Sequence, residues 1–284
     1  MKLSLESAEL YIPDGIEESA ALARTTHLSV AAHQDDIEIM AYDGIIQCFQ
    51  QEDRWFTGVV VTNGSGSPRS GIYEKYSDAE MVQVRRKEQR KAAMVGDYAA
   101  QFLLDLPSSA IKDAQNSAPV DDLEAILRAC GAEVVYTHNL ADKHDTHVGV
   151  ALKLIEAIRR LPAELRPKKL YGCEVWRDLD WMTDGDKVAF DATEHENLQA
   201  ALLGVFDSQI AGGKRYDLAT LGRRRAHATY HASHGVDATT GTNFAMDLTP
   251  LVTDDALSPL DLVRAHIGNF QAEVESRFGK LGRV

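Results

Sequence analysis

The chain is short of cysteine, of long apolar runs and of positive charge. Its three cysteines, Cys48, Cys130 and Cys173, lie far apart in 284 residues and form no C-x-x-C pair. An odd, scattered set excludes a disulfide framework and predicts buried thiols in a reducing compartment. No apolar stretch approaches the roughly 18 residues needed to cross a bilayer, and Met1-Lys2-Leu3-Ser4-Leu5-Glu6 lacks the apolar segment of a secretory signal. The expectation is a cytoplasmic protein without a membrane span. With 30 Lys and Arg against 43 Asp and Glu, the formal net charge is −13. That argues against nucleic acid or an anionic membrane as partner, since both favour a basic surface. No G-x-G-x-x-G follows the first apolar run, so the main sign of a dinucleotide-binding protein is missing. The Gly/Ser-rich segment 63–71 lacks Gly-Lys-Ser/Thr, which leaves a mobile lid beside an active site as its better reading. No repeat, low-complexity tract or linker interrupts the sequence, which predicts one domain over 1–284.

What is present is an ordinary globular composition, 44% hydrophobic and 26% charged, with regular alternation. Apolar, β-branched runs at 27–32, 55–61, 99–106, 133–137 and 169–175 predict five strands. Helical periodicity follows position 36 and recurs at 78–95, 121–129 and up to about 160. Strand–helix alternation implies right-handed crossovers and an α/β, Rossmann-like fold: a mainly parallel sheet with helices on both faces. The last third is less regular, with helices expected at 194–206, 219–230 and 258–278 and a strand near 244–248. Residues 1–24 are mixed, with a short helix at 17–23.

Chemistry concentrates after the first strand, at Ala32-His33-Gln34-Asp35-Asp36-Ile37-Glu38. In open α/β sheets, sites form where a strand ends and its helix begins. His33 and Asp36, three apart, present an imidazole and a carboxylate of the kind Zn²⁺ takes. The matching context after the fourth strand is His144-Asp145-Thr146-His147, and the carboxyl ends of parallel strands share one edge. His147, which opens a helix, is the expected third ligand. Asp35 is then free to act as general base toward a metal-activated water. His144 can stabilise the oxyanion as water attacks a carbonyl. The plain alternatives are helix capping by Asp35 and Asp36 and a polar loop that happens to hold two histidines. Trp176 and Trp181 follow a strand end, where stacking on a sugar ring and core packing are both open readings; Trp55 reads as core. Arg223-Arg224-Arg225 reads as a solvated helix face. His227, His231 and His234, on one side of a helix, read as exposed or rim histidines.

At these residues the chain resembles the PIG-L / LmbE-like family of zinc-dependent N-deacetylases. The family's Ala-His-Pro-Asp-Asp stands here as Ala32-His33-Gln34-Asp35-Asp36, and its His-Pro-Asp-His as His144-Asp145-Thr146-His147. Thr62-Asn63-Gly64, Arg85-Arg86-Lys87-Glu88 and Asp207-Ser208-Gln209 match further elements in order. The resemblance implies an LmbE-like fold and Zn²⁺, or another divalent metal, on His33, Asp36 and His147. Asp35 would be the base and His144 the oxyanion or acid partner. It also implies Arg85 and Asn63, with Trp176, at a substrate that is an N-acetylglucosamine-type sugar or conjugate. Gln34 replaces the usual Pro, Thr146 the usual Asp, and Ser108 stands where many relatives have a sugar-contacting Asp. The alternative is a non-catalytic or repurposed metal or carbohydrate binder of the same fold. A homo-oligomer stays compatible with the sequence.

Overall fold

The computed structural model describes residues 1–282. In chain order its elements are β1 (Glu9–Tyr11), α1 (Glu18–Ala23), β2 (His27–Ala31), α2 (Asp36–Met40), α3 (Tyr42–Cys48), β3 (Phe56–Thr62) and α4 (Asp78–Val95). There follow β4 (Ala100–Leu106), α5 (Ser108–Lys112), α6 (Ala118–Cys130), β5 (Val134–His138), α7 (Asp145–Arg160) and β6 (Lys169–Cys173). The last third holds β7 (Lys187–Asp191), α8 (Glu196–Gly204), α9 (Asp207–Ile210), α10 (Tyr216–Tyr230), β8 (Thr242–Asp247), α11 (Pro250–Thr253) and α12 (Pro259–Leu281).

The strands form one sheet in the order β1-β4-β3-β2-β5-β6-β8-β7. Its centre, β4-β3-β2-β5-β6, is parallel. β1, β8 and β7 add antiparallel edges to this parallel centre, so the sheet is mixed at its margins and mainly parallel at its core, as the alternation of strands and helices implies. β2 and β3 are buried along their whole length, as strands covered on both faces must be. One face packs Leu22, Leu123, Ile126, Leu154 and Leu251 from α1, α6, α7 and α11. The other packs Ile37, Tyr42, Ile45, Ala92 and Leu202 from α2, α3, α4 and α8. Cys48, Cys130 and Cys173 are free and buried.

Helix α4 begins where its capping box dictates: Ser77 Oγ accepts from the Glu80 N–H, and the Glu80 carboxylate accepts from the Ser77 N–H at 2.8 Å. The helix expected after β2 is two short ones, broken at Ala41 (φ −110°, ψ 27°). β1 and β7 escape sequence reading because both are edge strands with half-exposed, weakly apolar patterns. β6 stops at Cys173, two residues before the apolar run does. Beyond Val263, α12 is largely exposed. No helix among the described residues is long and apolar enough to cross a membrane.

The order of the central strands reverses between β2 and β5. Their carboxyl ends diverge there, opening the crevice in which α/β folds place ligands.

Candidate metal centre and active site

The residues after β2 and β5 meet in that crevice. His33 Nδ1 stands 3.2 Å from Asp36 Oδ2 and 3.2 Å from His147 Nε2. His147 Nε2 and Asp36 Oδ2 are 3.4 Å apart. A tetrahedral ion with bonds near 2.0–2.1 Å keeps its ligand atoms about 3.3–3.4 Å apart. The triangle of one carboxylate and two imidazoles therefore has the size and chemistry a divalent metal requires. His144 brings a further imidazole nitrogen within reach of His33 and His147, and its ring stacks on His147 at 4.5 Å.

Behind the triangle lies support that the sequence motifs did not reveal. Asp142 Oδ2 is 3.4 Å from His147 Nδ1, while Asp142 Oδ1 accepts from the His144 N–H at 3.0 Å. This carboxylate orients the ring from its far nitrogen, as carboxylates behind ligating histidines do. Thr146, where the PIG-L pattern has the Asp that would orient His144, is buried with an unpartnered hydroxyl, and His144 Nδ1 has no partner either. His138, the last residue of β5, stacks under His147 at 3.8 Å. His138 Nε2 lies 3.5 Å from Asp36, yet it accepts the Ala32 N–H at 2.9 Å. With that lone pair engaged, His138 serves as packing and His33 completes the triangle. Burial at the end of a strand hides His138 among ordinary core positions in the sequence.

The charges agree with the geometry. Burial alone would raise the Asp36 carboxyl, but the imidazoles of His147, His33 and His138 reverse this and hold it far below the usual range. Burial pushes His33, His138 and His144 down and favours neutral imidazoles; at His138 the nitrogen lone pair is already taken by the Ala32 N–H. For His147, Asp36 and Asp142 outweigh burial and push the imidazole up.

Asp35 sits at φ 89° with no capping hydrogen bond from its side chain. Capping is therefore not its role in this structure. A non-glycine residue in that region is strained by about 1–3 kcal/mol, the kind of cost concentrated at functional sites. Its Oδ2 has no hydrogen-bond partner and lies 3.7 Å from Arg85. Burial pushes the Asp35 carboxyl well up, reinforced by Asp36, Glu38 and Glu88 and opposed by Arg85. Glu38, fully buried, accepts from Gln89 and Tyr98 at 2.9 Å each and is pushed by burial up to about 8. Gln89 in turn accepts the Asp35 N–H at 3.3 Å.

A cavity of about 540 Å³ opens on the site, lined by His33, Asp35, Asp36, Arg85, His144 and Trp176 among others. Arg85 is buried, and its guanidinium is spent on protein: Nε donates to Gln34 Oε1 at 3.0 Å, Nη1 to Ser67 Oγ at 3.0 Å, and Nη2 to the Gln34 carbonyl. Asn63 does not line the cavity; its Oδ1 accepts from the Ser65 N–H at 3.1 Å and shapes the loop. That loop is tied down by Arg69 and Arg85, so a freely mobile lid does not describe it. Glu88 accepts from the Ser208 N–H at 2.7 Å and from its hydroxyl at 2.6 Å, joining two of the matched motifs, and the neighbouring Gln209 reaches the cavity. Ser108, Lys112, Lys214 and Tyr216 also line it.

Elsewhere, three expectations are corrected. Arg224 is buried and bonded to Asn243, Gln199 and the carbonyls of Glu38 and Ile39. His227 is buried against Phe244 (4.1 Å between rings) rather than at the rim, and His231 also packs on Phe244. Trp55 is half-buried under the Arg24 guanidinium instead of in the core.

Residues 28–158 match the PIG-L family, described as GlcNAc-PI de-N-acetylase. No curated protein matches the chain in sequence. Among solved structures it is similar to GalB, the 4-carboxy-2-hydroxymuconate hydratase from Pseudomonas putida, at 16% identity and TM-score 0.61, over 79% of this chain and 95% of that one. It is similar to the conserved protein TT1542 from Thermus thermophilus, at 17% identity and TM-score 0.59, over 82% and 98%. The N,N'-diacetylchitobiose deacetylase from Pyrococcus horikoshii shares 19% identity with TM-score 0.57, over 78% and 84%. At these identities the likeness is one of fold.

Proposed function

We propose, from a chain whose residues 28–158 form a PIG-L-type core, that it is a metal-dependent hydrolytic N-deacetylase of an N-acetylglucosamine-type sugar or sugar conjugate. The observation that carries this reading is the His33–Asp36–His147 triangle with the unpartnered Asp35 carboxylate beside it, opening on one cavity. The family match and the deacetylase among the similar folds support the same reaction class.

His33, Asp36 and His147 would hold Zn²⁺ or another divalent ion. When bound, such an ion supplies Lewis-acid chemistry, polarising a carbonyl and lowering the pKa of water. Asp35 accepts a proton from the attacking water as the new C–O bond forms. It returns that proton to the amide nitrogen as the C–N bond breaks, releasing acetate and an amine. Arg85, 3.7 Å away, draws the buried carboxyl toward its ionised form. His144, neutral and facing the cavity, donates a hydrogen bond to the carbonyl oxygen as it gains charge. Trp176 offers an aromatic face to the sugar.

The test is acetate release from N-acetylglucosamine, its disaccharide and its conjugates, with the metal content measured in parallel. Asp35→Ala should keep the metal and lose turnover by about 10²-fold or more. His147→Ala should lose the metal. Near-normal turnover in Asp35→Ala would overturn the base assignment. Bound metal with no acetate from any of these compounds would favour a binding protein instead.

A further inference from the structure

The cavity mouth has a charge opposite to that of the molecule. The acidic side chains lining it are Asp35 and Asp36, both buried at its floor. Outward from them the charged side chains are Lys112, at the end of α5, and Lys214, between α9 and α10. Lys143 stands beside them. The Lys214 Nζ is 5.1 Å and the Lys143 Nζ 6.0 Å from the centre of the Trp176 ring.

Among the described residues no carboxylate lies within 4.0 Å of these three ammonium groups. In a chain with 43 acidic residues, the cavity lining beyond Asp35 and Asp36 carries lysine and no further carboxylate. The segment that carries Lys214 is fixed by its backbone. The Lys214 N–H donates to the Gln209 carbonyl at 2.8 Å, and the Lys214 carbonyl accepts from the Tyr216 N–H at 2.7 Å. The Trp176 N–H donates to Asp142 Oδ2 at 3.1 Å, the oxygen that also faces His147. The aromatic platform under the ammonium groups is thereby held in register with the metal triangle. Ammonium groups facing one another across an opening repel until an anion lies between them.

We infer that Lys112 and Lys214, which line the cavity together with Trp176, and Lys143 beside that ring form a subsite for an anionic group, a phosphate or a carboxylate, carried on the part of the substrate that projects outward from the amide. The inference deepens the amidohydrolase reading and rests on it for the orientation of the substrate. Ser108 lines the same wall, where an aspartate would repel such a group.

The experiment is a tryptophan-fluorescence titration of the metal-loaded protein with four probes: N-acetylglucosamine, its 6-phosphate, N-acetylmuramic acid and glucose 6-phosphate. At least one anionic acetamido sugar should bind about tenfold or more tightly than the neutral one. The preference should shrink as salt rises from about 50 to about 300 mM. In the Lys112→Gln/Lys214→Gln double variant it should fall to within about twofold, while Arg277→Gln/Lys280→Gln, the same loss of two charges on α12, should leave it intact. Which anion binds more tightly tells phosphate from carboxylate. Equal affinity for neutral and anionic sugars, or a preference unchanged in the double variant, overturns the subsite. Acetate release is followed on the same samples. Anion-dependent binding without acetate from any sugar removes the amidohydrolase reading and leaves the subsite; acetate release without anion preference does the reverse.

Discussion

Gln34 stands where the PIG-L pattern has proline, and it holds the turn by other means. Its carboxamide accepts from Arg85 and donates to the Thr62 carbonyl at 3.3 Å, so the turn is tied both to α4 and to the end of β3. Asp142 reaches the His147 ring from five residues before it. Both contacts act across space, which is why the motif spellings alone did not show them. Away from the site, Glu174 is the residue whose titration should be easiest to read. It accepts N–H groups from Leu179 (2.6 Å) and Phe244 (3.0 Å), yet burial still pushes it up to about 7. A carboxyl raised above its unfolded value contributes stability that is complete below about 4.5 and is lost as pH rises through about 7. About 3 kcal/mol should disappear across that window. His227, pushed by burial down to about 4, has the opposite slope between about 4 and 6.5. His227 Nδ1 stands 3.4 Å from Glu174 Oε2, so the difference between wild-type and Glu174→Gln stability curves reports the carboxyl together with its effect on that imidazole. Denaturant unfolding from pH 4.5 to 8 should show the variant gaining on the wild type as pH rises; parallel curves would refute the assignment.

At the level of elements, the site is made by strand ends and the loop that borders them. β2 and β5 were readable from their apolar runs, and so was the convergence of the segments after them, because parallel strands share a carboxyl edge. The path of loop 63–71 was not readable. Gly64 holds φ 71°, and a Cβ there would collide with the Gln34 carboxamide and come 2.9 Å from Arg85 Nε. Gly64→Ala should thus cost about 1–3 kcal/mol and displace the Gln34–Arg85 contact that backs Asp35. The expected reading is a lowered Tm with kcat reduced more than KM changes. An unchanged Tm and kcat would mean that the loop has room to yield. The edge strands β1 and β7 and the split between α2 and α3 depend on neighbours distant in sequence, so local pattern could not assign them.

For the whole molecule, the core is large enough that a metal at the proposed site would serve chemistry rather than folding. Both faces of the eight-stranded sheet are packed, and the Asp36–His147 pair stays in place as a salt bridge. Chelation should abolish turnover yet leave the far-UV circular dichroism intact. It should lower the unfolding free energy, and Tm with it, by the binding contribution alone, about 4 kcal/mol if the ion is present at a thousand times its Kd. Loss of cooperative unfolding in the stripped protein would contradict this. By itself the sequence determined the α/β class, the two strand ends that carry histidine and aspartate, and the candidate ligands His33, Asp36 and His147, because these come from local periodicity and short spacings. Only the tertiary structure decided that Asp142 and His138 support His147, that Arg85 is spent on Gln34 and Ser67, and that Lys112 and Lys214 line the cavity with Lys143 beside its Trp176. Those are contacts between segments far apart in the chain, set by how the packed sheet brings them together.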